Sequence, residues 1–114
     1  MSGITTHVLD TSRGRPAAGV NIILERREDA GSWSLVGRGT TDGDGRLRTL
    51  VPPETANRTG VHRITFDTGA YFRALGTEGF YPEVVVVFDV RDASQHYHVP
   101  LLINPFGYST YRGS

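Results

Sequence analysis

The sequence predicts an all-β sandwich or barrel. Runs rich in Val, Ile, Thr and aromatic residues recur about every ten residues, clusters of Gly, Pro, Asp and Asn separate them, and one short segment alone has helical character. Ile4 to Asp10 opens the series. Val20 to Arg27 places Val20, Ile22 and Leu24 on one face and Asn21 and Glu25 on the other, as a half-buried antiparallel strand requires. Glu28 to Ser32 reads as a hairpin loop leading into Trp33 to Gly39. Asp42-Gly43-Asp44-Gly45 is a tight turn, because Gly and Asp tolerate positive φ; as a calcium loop it lacks the remaining alternating ligands and the distal Glu. Arg46 to Leu50 and Val61 to Asp67 follow. The helix is expected over Gly69 to Gly76, with Thr68 as N-cap and Gly76 as stop. Glu83 to Val90 contains Val84-Val85-Val86-Val87-Phe88 without polar alternation, so both faces are expected to be covered, the outer one by a neighbouring subunit. Tyr97 to Ile103 and Tyr108 to Arg112 complete eight strands.

A chain of 114 residues with 38% hydrophobic content and no Cys reads as one domain, 1–114. A chain this short removes only about two-thirds of its unfolded surface from water, so packing or a partner subunit must supply the rest of its stability. Self-association is expected. Twelve basic residues against twelve acidic ones give zero formal charge and no long-range field to attract a polyanion, so nucleic acid is not an expected partner. Every basic residue is Arg. Without Lys or Cys there is no Schiff base and no thiolate nucleophile, which leaves His, Asp, Glu, Ser, Thr, Tyr and Arg to carry any chemistry. The opening residues lack a signal peptide's features and no run approaches the roughly 18 apolar residues of a membrane helix. The reading is a cytoplasmic protein with no membrane association. Asn57-Arg58-Thr59 matches a glycosylation sequon and is taken as chance.

His96 and His98, two apart, project from one strand face with Pro100 and Leu102, while Tyr97, Val99, Leu101 and Ile103 take the core side. That spacing is compatible with zinc, but no Asp or Glu in the segment completes a ligand set; neither metal nor cofactor is expected. Pro100 cannot donate a ladder hydrogen bond, which predicts an edge strand or a surface covered by a partner. His7 shares a face with Thr5 and Leu9 and reads alone as structural. His62 reads as solvated, and Arg46 as an exposed charge beside a loop. Spacing does not choose among them.

Four segments together resemble a known family: Thr6-His7-Val8-Leu9-Asp10, Asp44-Gly45-Arg46, His96-Tyr97-His98-Val99-Pro100-Leu101-Leu102, and Tyr108-Ser109-Thr110-Tyr111-Arg112-Gly113-Ser114. The family is the 5-hydroxyisourate hydrolases, relatives of transthyretin. The resemblance runs from end to end, and Tyr-Arg-Gly-Ser is its most specific part. Hormone-carrying transthyretin lacks that ending and the histidines matching His7 and His98. Asn104 departs from the family, which more often has Ser before Pro105.

The resemblance implies a transthyretin-like (prealbumin-like) β-sandwich of two four-stranded sheets with one short helix between strands five and six. It also implies a homotetramer, a dimer of dimers, with active sites in clefts where dimers meet. Carried over residue by residue, it implies that His7, Arg46 and His98 are catalytic, and that His7, Arg46, Tyr111 and Ser114 bind substrate. The implied reaction opens 5-hydroxyisourate to 2-oxo-4-hydroxy-4-carboxy-5-ureidoimidazoline in urate catabolism. Its chemistry suits these side chains: imidazole can remove a proton from water and return one to the departing nitrogen, while Arg46 steadies the oxyanion. Two rival readings are a transthyretin-like carrier of a small aromatic ligand without turnover, and a structural sandwich used for adhesion or as an appendage.

Overall fold

The computed structural model describes residues 3–114. It contains strands β1 (Gly3–Asp10), β2 (Arg15–Pro16), β3 (Asn21–Arg27), β4 (Trp33–Thr40), β5 (Arg46–Leu47) and β6 (Gly60–Phe66), then helix α1 (Thr68–Ala74) and strands β7 (Val84–Val90), β8 (His96–Asn104) and β9 (Gly107–Thr110). One sheet runs β2-β1-β8-β9, with β5 also paired to β1; the other runs β4-β3-β6-β7. The expected all-β sandwich is present. It has sheets of five and four strands rather than four and four, because Arg15–Pro16 makes a two-residue pairing with Leu9 and Asp10 that carries no sequence period. The helix consequently follows the sixth strand.

Alternation decides which side chains meet between the sheets. Val8 and Ile4 of β1 and Tyr97, Leu101 and Ile103 of β8 face Ile22, Leu24, Ile64 and Phe66 of the second sheet. Asp10 is buried at the end of β1 and is satisfied by Ser12 and Arg13 amides, the Ser12 hydroxyl and Tyr71 Oη, the last at 2.8 Å. The N-cap of α1 is Asp67, not Thr68: its carboxylate accepts from Ala70 N at 3.1 Å, and Thr68 is already helical.

Of the two alternatives for the segment holding Pro100, the edge strand is excluded. β8 is an interior strand, parallel to β1 and antiparallel to β9. Pro100 is accommodated by a gap in the ladder: pairing with β9 ends at Leu101↔Thr110 and resumes in the same register only as the His98↔Gly113 bridge. β7 is an edge strand. Val84 and Val90 are buried, whereas Val85 and Val87 stand 40% and 58% exposed on its outer face.

Candidate active site

The outer face of the five-stranded sheet gathers the polar residues that the period of two sends away from the core. β1 buries Ile4, Thr6, Val8 and Asp10 and turns Thr5 and His7 outward. Thr5 lies opposite His98 on one side of β1, and His7 lies opposite Arg46 on the other. Leu47 points into the core, so its neighbour Arg46 shares the outer face. Thus three segments distant in sequence place His7, Arg46 and His98 side by side.

The turn before β5 fixes Arg46. Gly45 N donates to Asp42 O at 2.9 Å, and the Asp42 carboxylate accepts from the amides of Asp44 and Arg46 at 2.9 and 3.0 Å. Those amides, Arg46 foremost, with the charges of Arg48 and Arg46, hold the Asp42 carboxyl below its ordinary range. Gly45 has φ +74°, and a Cβ there would collide with the Val8 carbonyl, so this turn can pack onto β1 only with glycine. The same turn orients His7, whose Nε2 lies 2.8 Å from Asp44 O. A carbonyl can only accept, so His7 donates from Nε2 and, when neutral, carries its lone pair on Nδ1.

His98 is half-buried, with Nδ1 held 2.8 Å from Thr5 Oγ1. Burial first, then the charges of Arg46, His7 and His96, push its pKa below the usual histidine value. At neutral pH it is therefore an uncharged imidazole able to accept a proton. The chain end is laid across it: Arg112 stacks over Tyr97 at 4.5 Å and donates to Gln95 Oε1 at 2.9 Å, and Gly113 N donates to His98 O at 2.8 Å.

Arg46, His98 and Ser114 line one cleft of about 560 Å³, together with Thr5, His96 and Asn57. Asn57 Nδ2 is buried there with no hydrogen-bond partner among the described residues. His7 stands beside this cleft without lining it, and Tyr111 lies off it, 59% exposed. Thr5 and Asn57 were not selected from the sequence as site residues; sharing His7's face at a period of two was the available signal for Thr5, and Asn57 stood out only as part of a sequon taken as chance. His62, expected to be solvated, is 1% exposed and stacked on Phe88 at 5.8 Å, and it does not line this cleft. Its neighbours Arg26 and Arg58 belong to the other sheet's end. Among the described residues no group of three or more His, Asp or Glu is placed to hold a metal ion, and no helix is long and apolar enough to cross a membrane.

The sequence profile of the HIUase/Transthyretin family matches residues 4–113. The 5-hydroxyisourate hydrolase of Salmonella dublin is 45% identical over 111 residues, covering 97% of this chain and 80% of that protein. The structure of Klebsiella pneumoniae 5-hydroxyisourate hydrolase superposes with a TM-score of 0.86 at 35% identity, covering 100% of both chains. Sea bream transthyretin in complex with thyroxine superposes with a TM-score of 0.90 at 32% identity, covering 96% of this chain and 93% of that one.

Proposed function

This chain belongs to the HIUase/Transthyretin family, and from that premise we infer that it hydrolyses 5-hydroxyisourate in urate breakdown, the reaction for which its full-length relatives are named. The observation that carries the reading is the convergence of Arg46, His98 and Ser114 on one cleft, with His7 alongside. Water adds to a ring carbonyl, the ring C–N bond breaks, and the nitrogen leaves with a proton. His98, uncharged at neutral pH, is suited to take the proton from water, a role worth about 10²- to 10⁴-fold in rate. Arg46 is suited to the oxyanion, since its guanidinium stays charged and offers a planar fork of donors. His7, held as a donor from Nε2, assists in placing the water. Ser114, at the cleft wall, orients the substrate.

Tyr111 completes the proposed binding set by narrowing the cleft when a second dimer packs over this face. A homotetramer, a dimer of dimers, is part of the same proposal. β7 and β9 each lie at the edge of a sheet, and exposed Val85 and Val87 beside an unpaired edge favour pairing with a second copy. Size-exclusion chromatography with light scattering tests it, and a stable monomer would remove the role given to Tyr111. The cytoplasm is the proposed compartment, consistent with a fold that calls for no disulfide.

The decisive experiment generates 5-hydroxyisourate from urate with uricase and follows its ultraviolet decay with and without this protein. Faster decay is the expected result. Saturable binding of an aromatic ligand with unchanged decay would establish the carrier reading instead.

A further inference from the structure

Thr5 Oγ1 stands 2.8 Å from His98 Nδ1 and 2.8 Å from His96 Nε2, joining a half-buried imidazole of the cleft to an exposed one. We propose that Thr5 and His96 are positioning residues that fix the His98 ring and relay its Nδ1 proton, so that one atom, His98 Nε2, acts first as base and then as acid. The proposal rests on the hydrolase reading and assigns it a proton path.

A hydroxyl has one hydrogen, so Thr5 can donate to only one of the two rings while accepting from the other. In one direction His98 Nδ1–H donates to Thr5 and Thr5 O–H donates to His96 Nε2, which leaves the His98 Nε2 lone pair to accept from water. When the water O–H bond breaks, its proton binds His98 Nε2. The Nδ1 proton passes to Thr5, and the hydroxyl proton passes to His96 Nε2. His98 is again neutral, now with its proton on Nε2, and His96 carries the positive charge while the oxyanion lasts. As the ring C–N bond breaks, the Nε2 proton goes to the departing nitrogen and the chain shifts back. The balance closes: one water supplies hydroxyl to carbon and hydrogen to nitrogen, and every side chain ends as it began.

Electrostatics favours moving the charge outward. Arg46 from β5 and His7 from β1 both face His98 with positive or protonatable groups, His96 flanks it on β8, and no Asp or Glu among the described residues lines the cleft. Burial deprives a charged His98 of water, whereas His96 is exposed and keeps its hydration. Both rings and the hydroxyl lie on the cleft wall, so the path starts where the reaction takes place.

The test compares Thr5→Val, Thr5→Ser and His96→Gln with the native protein in stopped-flow ultraviolet decay across pH. Thr5→Val keeps shape and removes the hydroxyl; kcat is expected to fall about tenfold or more, a share of the 10²- to 10⁴-fold general acid–base contribution, with KM within about twofold. Thr5→Ser is expected to restore most of the rate. His96→Gln is expected to lower kcat and to move the acid limb of kcat/KM to higher pH, because one cation fewer opposes protonation of His98. Native rates and an unmoved profile in Thr5→Val and His96→Gln would overturn the relay while leaving the hydrolase reading intact, as would a Thr5→Ser variant as slow as Thr5→Val. A native protein without turnover would end both. Should Thr5→Val misfold by circular dichroism, His96→Gln, altered at an exposed residue, decides the matter alone.

Discussion

Replacing Gly113 by Ala should disable the site through a single methyl group. A Cβ at this position would lie 2.6 Å from His98 Cδ2 and 3.3 Å from both His98 Cγ and Pro100 Cγ. Carbon atoms prefer a separation of about 3.5–4.0 Å, so the ring or the chain end must move by about 1 Å. The residue does not adopt a positive φ, and alanine adds no backbone strain of its own. If the ring moves, the 2.8 Å bond from Thr5 to His98 Nδ1 stretches beyond hydrogen-bonding range, and a misplacement of about 1 Å can cost about 10²-fold in rate. If instead the tail lifts, the Gly113 to His98 bridge is lost and Ser114 leaves the cleft. Either route predicts a fall in kcat/KM of about 10²-fold, while the thermal melt changes little because the core is untouched. Gly43→Ala is the control: its Cβ would meet nothing within 4 Å in the turn that carries Arg46. Following 5-hydroxyisourate decay in both variants checks the argument, and full turnover by Gly113→Ala would show that His98 is not held where the mechanism needs it.

Single substitutions His7→Ala, Arg46→Ala and His98→Ala should each lower kcat/KM by about 10²-fold or more with nearly unchanged circular dichroism melts, because all three lie on the outer face; native turnover in two of them would exclude this site. Stability should fall as pH drops below about 6.5, since burial and the charges of Arg26 and Arg58 depress the folded pKa of His62, and the unfolded chain then binds more protons. That loss begins at the unfolded pKa and is complete below the folded one; His98 adds in the same direction, and His62→Phe should flatten the slope of melting temperature against pH. Tyr71→Phe removes one donor to buried Asp10 and should cost about 1.5–3 kcal/mol in denaturant unfolding, with activity retained.

Much of this molecule is written locally. Val20, Ile22 and Leu24 are all buried, as their spacing requires, and Tyr97, Val99, Leu101 and Ile103 face the core while His96, His98 and Leu102 turn outward. The Asp42 to Gly45 turn forms where Asp and Gly permit it. Where the sequence reading failed, the deciding information lay elsewhere in the chain. Pro100 in isolation leaves an edge strand or a partner-covered surface open; the edge fails, because its missing donor falls in the gap between Thr110 and Gly113 and the strand sits in the sheet interior. His62 looks polar and solvated, but β3 and β7 flank its strand and Phe88 covers its ring.

The alternation of side chains therefore determined, from sequence alone, an all-β sandwich or barrel and which residues of each strand could reach its outer face, because a strand's period depends only on its own backbone; the two-sheet form came from the resemblance. Resemblance singled out His7, Arg46, His98, Tyr111 and Ser114 from among those residues. Only the tertiary structure decided which of them share a cleft. The parallel register of β1 with β8 sets Thr5 against His98, the short β5 sets Arg46 against His7, and the chain end bridges back to His98; each is a contact between separate segments of the chain. Such pairings are fixed by the cooperative burial of one core, and no local pattern encodes them.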